Sequence, residues 1–250
     1  MKFSAARLVR GGSRKATRYD SVAAYRRLLD EKLKHHGQNR DLAFAEAVGS
    51  LSVELFRSQG DVQVSGLRHY GLADGMRIYD LGCGCGRTAQ ALQRSGWQGH
   101  YTGTDIVDGF ITELLNKCPG YEAFVHRRPT IRAADAALDM IYHWSVFTHI
   151  SPEESFLYLK DSFRALKPGG KTVFTFVELA DPSHRVLFHR RVDQFAKEQP
   201  DLILDVFLHR DWLRLWAETI GFSEPTFIDG NDGTNHQPFW QTIAIMNKPE

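Results

Sequence analysis

The chain has 250 residues, of which 42% are hydrophobic and 12% aromatic, enough for a substantial core in one α/β domain with attachments. No uncharged apolar run reaches the roughly 18 residues of a transmembrane helix, so we expect no membrane span. Three cysteines exclude a disulfide framework and favour a reducing, cytoplasmic compartment. Cys83-x-Cys85 lacks the spacing of a zinc site, so we expect no metal.

The net charge of +1 is unevenly distributed along the chain. Residues 1–40 contain eleven Lys or Arg and three Asp or Glu, whereas residues 41–250 contain 20 and 27. The basic beginning has three interpretations: a mitochondrial transit peptide, a solvated arm, or an arm that contacts an anionic substrate or partner. We therefore divide the chain into a basic arm with a helical extension, residues 1–50, and a main domain, residues 51–250.

The apolar spacing predicts secondary structure along the whole chain. It predicts helices at 19–34 and 41–56, before the main domain. From Arg77 onward, short β-rich runs alternate with helical segments, which is typical of a parallel sheet covered on both faces. The candidate strands are 77–81, 100–105, 121–126, 138–144, 171–177, 224–228 and 239–246. The candidate helices are 86–95, 108–117, 151–166 and 210–220. The segment 178–210 is too long for a plain connection, and the spacing of Leu187, Phe188, Val192 and Phe195 predicts a helix in a cap insert.

The stretch "IYDLGCGCGRTAQ" places three glycines between the first strand and its helix. Such a loop lets a ligand approach the backbone and leads to a helix N-terminus that attracts anions. One fitting ligand class is a nicotinamide or flavin dinucleotide, since Gly84, Gly86 and Ala89 match G-x-G-x-x-A. Asp80 disfavours that class, because a carboxylate before the loop repels a pyrophosphate and attracts an ammonium group. Asp105, in "YTGTDI", offers two acceptor oxygens to a ribose diol.

Four quoted segments in order resemble a known family: "YDLGCGCGR", "YTGTDI", "LDMIYHWSVFTHIS" and "ALKPGGKTVFTF". They are similar to the motifs of class I S-adenosylmethionine-dependent methyltransferases, and the ending "RDWLRLWAETIGFSEPTFIDG" with "FWQTIAIMNK" is similar to that family's last helix and strand pair. The resemblance covers about two thirds of the chain. It implies a Rossmann-like seven-stranded sheet, mostly parallel with the last strand antiparallel, helices on both faces, and S-adenosylmethionine as cofactor.

The resemblance also assigns cofactor contacts residue by residue. It implies that Asp105 holds the ribose, that Ile106 contacts the adenine, and that Trp144 and Ser145 lie near the sulfonium, which an aromatic face attracts. The residues implied at the methionine end are Asp80, Gly82, Cys83, Gly84 and Gly86. The family often has an acidic residue after the third strand, where this chain has "HRRPTIRAADAALD". Either Asp135 or backbone groups would then meet the adenine.

Two histidines near the fourth strand are candidate general bases, which methyl transfer needs only for a weakly acidic acceptor such as a hydroxyl. His149 precedes a helix start with capping-box spacing at Ser151 and Glu154, which places it near the ligand face. The alternative is that His149 only bonds a loop. His143 alternates with Tyr142 and Trp144 within the strand, so burial competes with catalysis.

We expect residues 1–50 and the cap insert to form the acceptor pocket. His184, Arg185 and Arg190 in the insert, with Arg14, Lys15 and Arg18 in the arm, would suit an anionic small-molecule acceptor. The sequence thus predicts methylation of a hydroxyl or carboxyl oxygen of a small molecule such as a sugar or another metabolite. The sequence contains no Asn-Pro-Pro-Tyr motif, which disfavours a nitrogen acceptor. We do not expect nucleic acid as a partner. The alternatives are a noncatalytic partner subunit that binds S-adenosylmethionine, a methyltransferase acting on nitrogen or a macromolecule, and a nicotinamide oxidoreductase. The sequence does not predict the oligomeric state.

Overall fold

The computed structural model describes residues 20–197, 203–234 and 236–250. Its centre is a seven-stranded sheet in the order β3-β2-β1-β4-β5-β7-β6. The strands are β1 (Arg77–Leu81), β2 (His100–Asp105), β3 (Glu122–Val125), β4 (Leu138–His143), β5 (Leu166–Phe176), β6 (Thr226–Ile228) and β7 (Thr242–Asn247). β7 runs antiparallel to both of its neighbours, and the β1 to β5 pairings are parallel. The predicted Rossmann-like fold is therefore confirmed.

Helices cover both faces of this sheet. They are α1 (Ser21–His36), α2 (Arg40–Ala47), α3 (Val53–His69), α4 (Arg87–Arg94), α5 (Asp108–Lys117), α6 (Pro152–Ala165), α7 (Arg185–Ala196) and α8 (Arg210–Ile220). On one face, Ile78 and Met140 pack with side chains of α3, α4 and α5. On the other, Tyr79 and Ile141 pack with side chains of α6 and α8. β1 and β4 are thus buried on both faces, as is typical of the central strands of a parallel sheet covered by helices.

The N-terminal helices form a third apolar cluster beside the sheet. Leu29 of α1 and Phe44 of α2 pack with Phe56 of α3, Phe110 of α5 and Cys85 of the glycine loop. Arg26 of α1 also pairs with Asp108 of α5, their charged atoms 3.0 Å apart. The helical extension is thus packed against the glycine-loop side of the main domain.

Two sequence predictions about elements need correction. The helix predicted at 41–56 ends at Ala47, because Gly49 takes a positive φ, and the Ser52 hydroxyl accepts from the Leu55 amide as the N-cap of a new helix, α3. α3 continues to His69, 13 residues beyond the predicted end. β5 begins five residues earlier than predicted, since Leu166 pairs with Leu138 across an irregularity in the ladder. The helix in the insert exists as α7, but it has no fully buried residue. The arm up to residue 19 lies outside the described residues.

Candidate functional site

A cavity of about 800 Å³ opens at the carboxyl ends of the parallel strands. Its floor comprises residues that end strands or follow them, and these include Gly82, Gly84, Asp105, Ile106, Trp144, Ser145 and Thr175. Its roof comes from α1 to α3 and includes Ser21, Tyr25, Leu28, Val48, Leu55 and Gln59. Its remaining wall includes Leu187, Arg190, Ile203, Asp205 and residues 237–241. Ligands of doubly wound sheets bind at this edge.

The glycine loop has a backbone that side chains would disturb. Gly82 has a φ of +69°, and a Cβ there would overlap the side chain of Val146. Gly84 has a φ of +53° and would place a Cβ 3.1 Å from Val48 Cγ1, so the α2–α3 connection lies directly over it. Gly86 is the N-cap of α4 and provides no side-chain cap. The N-H groups of the first turn are therefore available to an anion.

Asp105 occupies the position that the ribose assignment requires. Its Oδ2 accepts from the Gly84 amide at 3.0 Å, and its Oδ1 accepts from the Val107 amide at 2.9 Å. The carboxylate lines the cavity, and each oxygen retains a lone pair for a further donor. Burial raises the pKa of Asp105 to about 6, against the opposing amide hydrogen bonds. It is therefore ionised at neutral pH.

Asp80 lies beneath the glycine loop and does not line the cavity. Its side chain is 2% exposed, and its Oδ2 accepts from the Tyr101 hydroxyl at 2.8 Å. Burial raises the pKa of Asp80 to about 7. Cys83 is likewise buried, and burial raises the pKa of its thiol well above the usual value. A direct contact of either side chain with the cofactor stays a prediction that this placement does not favour.

Trp144 and Ser145 carry the floor beyond β4. The Trp144 ring stacks on Phe239 with centroids 5.0 Å apart, so the two rings form an aromatic wall. Ser145 has a φ of +61°, a conformation that non-glycine residues adopt mainly where the surroundings impose it. Its amide donates to Thr175 Oγ1 at 2.8 Å, and its hydroxyl donates to Gln241 Oε1 at 3.0 Å. The loop before β7 is thereby joined to the end of β4.

Of the two candidate bases, His149 lines the cavity and His143 does not. The Nδ1 atom of His149 lies 2.7 Å from the Leu204 carbonyl. A carbonyl only accepts, so Nδ1 carries the proton and Nε2 is the free acceptor. His143 is instead 1% exposed, stacked on Phe174 in the core, and burial lowers its pKa to about 3. A role of His143 in proton transfer does not fit this position, because no substrate in the cavity reaches it.

Of the three residues predicted to bind the acceptor, His184, Arg185 and Arg190, only Arg190 lines the cavity. It pairs with Asp205 at 2.7 Å. Arg185 lies outside the lining and donates to the carbonyls of Leu179 and Ala180. The prediction for Arg185 is thus not supported, because its donors are engaged elsewhere.

His184 is fully buried and has a structural role in place of the predicted contact. Its Nδ1 accepts from the Glu178 amide at 3.1 Å, and its Nε2 donates to the Trp240 carbonyl at 2.7 Å. Both ring nitrogens are therefore occupied. The histidine holds the loop before β7 over the end of β5.

Sequence reasoning missed several cavity residues. Arg87 follows the last glycine of the loop directly, so its position in the motif was the available signal. His126, at the end of β3, lines the cavity where an adenine contact is expected, and its Nε2 is 2.8 Å from Thr130 Oγ1. Asp135 does not take that place, since it is exposed and paired with Arg164. Residues 57–69 of α3 and residues 237–238 lay outside every quoted motif, and residues 239–241 lay in the quoted ending without an assigned role.

The donor set suits a nucleoside with a cationic amino-acid substituent. An ionised carboxylate lines the cavity at the end of β2, the backbone of Gly82 and Gly84 lines it beside that carboxylate, and the Trp144 and Phe239 rings form an aromatic wall. No phosphate-binding lysine or serine accompanies the glycines. Fold and cavity thus define a Rossmann-like protein whose site matches S-adenosylmethionine.

The comparisons with known proteins agree with this class. Residues 78–170 match the family model described as a methyltransferase domain. Similar folds include an S-adenosylmethionine-dependent methyltransferase from Methanosarcina mazei (20% identity, 73% of this chain and 97% of that one, TM-score 0.56). Another is a TehB-like methyltransferase from Corynebacterium glutamicum (18% identity, 88% of this chain and 99% of that one, TM-score 0.55). A third is magnesium protoporphyrin IX methyltransferase from Synechocystis with bound SAH (14% identity, 80% of this chain and 89% of that one, TM-score 0.55).

The match covers residues 78–170, which contain the glycine loop and Asp105, and the described fold is similar to that of S-adenosylmethionine-dependent methyltransferases. S-adenosylmethionine is therefore the cofactor that this part of the chain supports. The alternatives of a nicotinamide oxidoreductase and of a noncatalytic partner are therefore not supported. No helix of the described ranges is long and apolar enough to cross a bilayer. In the same part of the chain, no group of three or more His, Cys, Asp or Glu is arranged to bind a metal.

Proposed function

We propose that this enzyme methylates a hydroxyl or carboxyl oxygen of a small molecule that binds in the cavity beside Trp144, Ser145 and His149. The observation that carries the proposal is the orientation of His149, whose Nε2 is an unprotonated acceptor in the cavity wall. Bound S-adenosylmethionine supplies a methyl group on a sulfonium centre. The protein has to hold the acceptor in line, exclude water and, for a hydroxyl, take up a proton.

The surroundings of His149 keep the imidazole neutral and oriented. Burial lowers its pKa from the ordinary value of 6.5, so it is unprotonated at neutral pH. The segment that supplies the Leu204 carbonyl is fixed by a hydrogen bond from the Val206 amide to the Thr148 carbonyl at 2.7 Å. The Tyr25 ring meets the imidazole edge-on with centroids 6.0 Å apart. Roof and insert therefore both contribute to the position of the base.

The cavity walls favour a small acceptor over a macromolecule. The helical extension and the cap insert both line the cavity, through Tyr25 and Val48 on one side and Leu187 and Arg190 on the other. Such covers exclude water and limit the size of what enters. Arg190 is the cation that the insert contributes to the cavity wall, and it pairs with Asp205. These observations, which concern residues 20–50 and the described part of 178–210, support the expectation that the helical extension and the cap insert form the acceptor pocket. Cytoplasmic localisation stays a prediction.

The test measures SAH formation with a panel of phenols, sugars, carboxylic acids and primary amines as acceptors. We expect turnover with an oxygen acceptor. For a hydroxyl acceptor, His149→Ala should lower turnover at saturating substrate about 100-fold or more. Affinity for SAH, measured by calorimetry, should not change. Because the pKa of His149 lies below 6.5, turnover of the unmodified enzyme should decrease only at a pH below 6.5, where the imidazole becomes protonated. This decrease should be absent in His149→Ala.

His209→Gln is the matched control, since His209 is exposed at the start of α8 and outside the cavity lining. It should leave turnover unchanged. Turnover confined to the amines would contradict the oxygen assignment. A His149→Ala enzyme that methylates a hydroxyl at nearly the normal rate would show that positioning alone suffices and that His149 only holds the 203–206 segment.

A further inference from the structure

Arg87 is a cationic side chain in the cavity wall that no pairing explains. It is the first residue of α4, directly after Gly86, and its side chain reaches back to the α2–α3 connection. One of its Nη atoms donates to the Val48 carbonyl, and its guanidinium lies over the Phe56 ring, 5.5 Å from the centroid. The guanidinium therefore lies between the glycine loop and the roof.

The charge of Arg87 lacks a carboxylate partner among the described residues. No Asp or Glu of this part of the chain lies within 4.0 Å of it, and its Nε is shielded from solvent without a hydrogen-bond acceptor. Burial lowers its pKa, the direction expected for a cation withdrawn from water. Arg94, two turns further along α4, is paired with Asp61 at 2.6 Å. Arg87 is partly buried, and Asp80 interacts with it only over a longer distance, so the site is suited to receive an anion in direct contact.

We propose that Arg87 binds the carboxylate of the cofactor's amino-acid part. The argument rests on the cofactor identified above and not on the proposed acceptor. Gly84 and Arg87 line the same cavity, and α4 begins at Gly86 without a side-chain cap, so the first-turn amides beside Arg87 have no side-chain acceptor. Guanidinium and amides together form a carboxylate site of the kind that proteins use for bidentate recognition.

The same guanidinium couples cofactor binding to the roof. Val48 follows the end of α2, and its carbonyl accepts from Arg87 while its Cγ1 lies over Gly84. A carboxylate on Arg87 would therefore hold the α2–α3 connection against the glycine loop. Val48 and Leu55 line the cavity there. Binding of the cofactor would therefore hold the α2–α3 connection in place over the cavity before the acceptor binds.

The experiment compares two cofactor forms that differ only in the carboxylate. Calorimetry is run with S-adenosylmethionine and with decarboxylated S-adenosylmethionine, on the full chain and on Arg87→Gln. The unmodified protein should prefer S-adenosylmethionine at least tenfold, and the variant should lose most of that preference, a change of roughly 10- to 100-fold from one charge-assisted pair. Arg87→Lys should show an intermediate preference, because it keeps the charge without the planar fork.

Two controls separate binding from folding. Arg94→Gln removes a cation from the same helix outside the cavity and should leave the preference unchanged. Binding of 5′-methylthioadenosine, which lacks the amino-acid part, should be equal in all variants. If Arg87→Gln weakens 5′-methylthioadenosine as much as S-adenosylmethionine, Arg87 only fastens the roof and the proposal fails.

An unmodified protein that binds both cofactor forms equally would overturn the proposal without any variant. An Arg87→Gln protein that keeps its preference but has a raised KM for a carboxylate acceptor would assign Arg87 to the acceptor instead. Both outcomes leave the proposed oxygen methylation standing, because that is judged by the acceptor panel.

Discussion

Asp105→Asn should weaken cofactor binding strongly, because this carboxylate has two functions. It holds the glycine loop through the Gly84 amide, 3.0 Å from Oδ2, and it lines the cavity. A hydrogen bond to a charged group contributes about 1.5–3 kcal/mol, so losing one ribose hydrogen bond should raise the Kd for SAH roughly 10- to 150-fold. Asp105→Ala, which removes both acceptors, should cost about 3–6 kcal/mol.

The assay is calorimetry with SAH, with Asp108→Asn as the matched control. Asp108 is three residues away, exposed and paired with Arg26 outside the cavity lining, so its substitution should leave the Kd unchanged. A second comparison uses adenosine and 2′,3′-dideoxyadenosine. Asp105→Asn should weaken only adenosine, which alone has the ribose diol.

The affinity should also depend on pH in a defined direction. The pKa of Asp105 is raised to about 6, so the carboxylate becomes protonated and loses acceptor strength as the pH falls through 6. Affinity for SAH should therefore decrease below pH 6 in the unmodified protein and stay flat in Asp105→Asn. An unchanged Kd in Asp105→Asn, or an equal loss in Asp108→Asn, would refute the ribose assignment.

Two further predictions concern Asp80 and Arg190. Burial raises the pKa of Asp80 to about 7, so between about pH 4 and 7 the folded protein holds a proton that the unfolded chain releases. The contribution of protonated Asp80 to the free energy of unfolding is therefore complete below about pH 4 and is lost as the pH rises through 7. Urea unfolding without cofactor should show Asp80→Asn gaining stability over the unmodified protein across that range, by roughly 4 kcal/mol at most; a constant difference would contradict the buried acid. Arg190→Gln should raise the KM for an anionic acceptor found in the panel, with unchanged affinity for SAH. Arg185→Gln, outside the cavity lining, should change neither, and equal effects in both variants would point to the stability of α7 instead.

The sequence by itself determined the features that depend on neighbouring residues. The spacing of apolar side chains predicted strands at 77–81 and 100–105 and the helix at 108–117 with the bounds that the structure has. The glycines directly follow β1 in the sequence, and Asp105 is the last residue of β2, so the strands fix where these residues lie. Parallel strands end at a common edge, so the local pattern also located the site.

Only the tertiary structure decided which side chains face the cavity. His143 and His149 are six residues apart, yet the first packs on Phe174 and the second is oriented by Leu204, 55 residues further along the chain. Ser145 similarly receives its partner Gln241 from 96 residues away. Such contacts arise from how the strands pair and how the connections cover them, and no local periodicity encodes them.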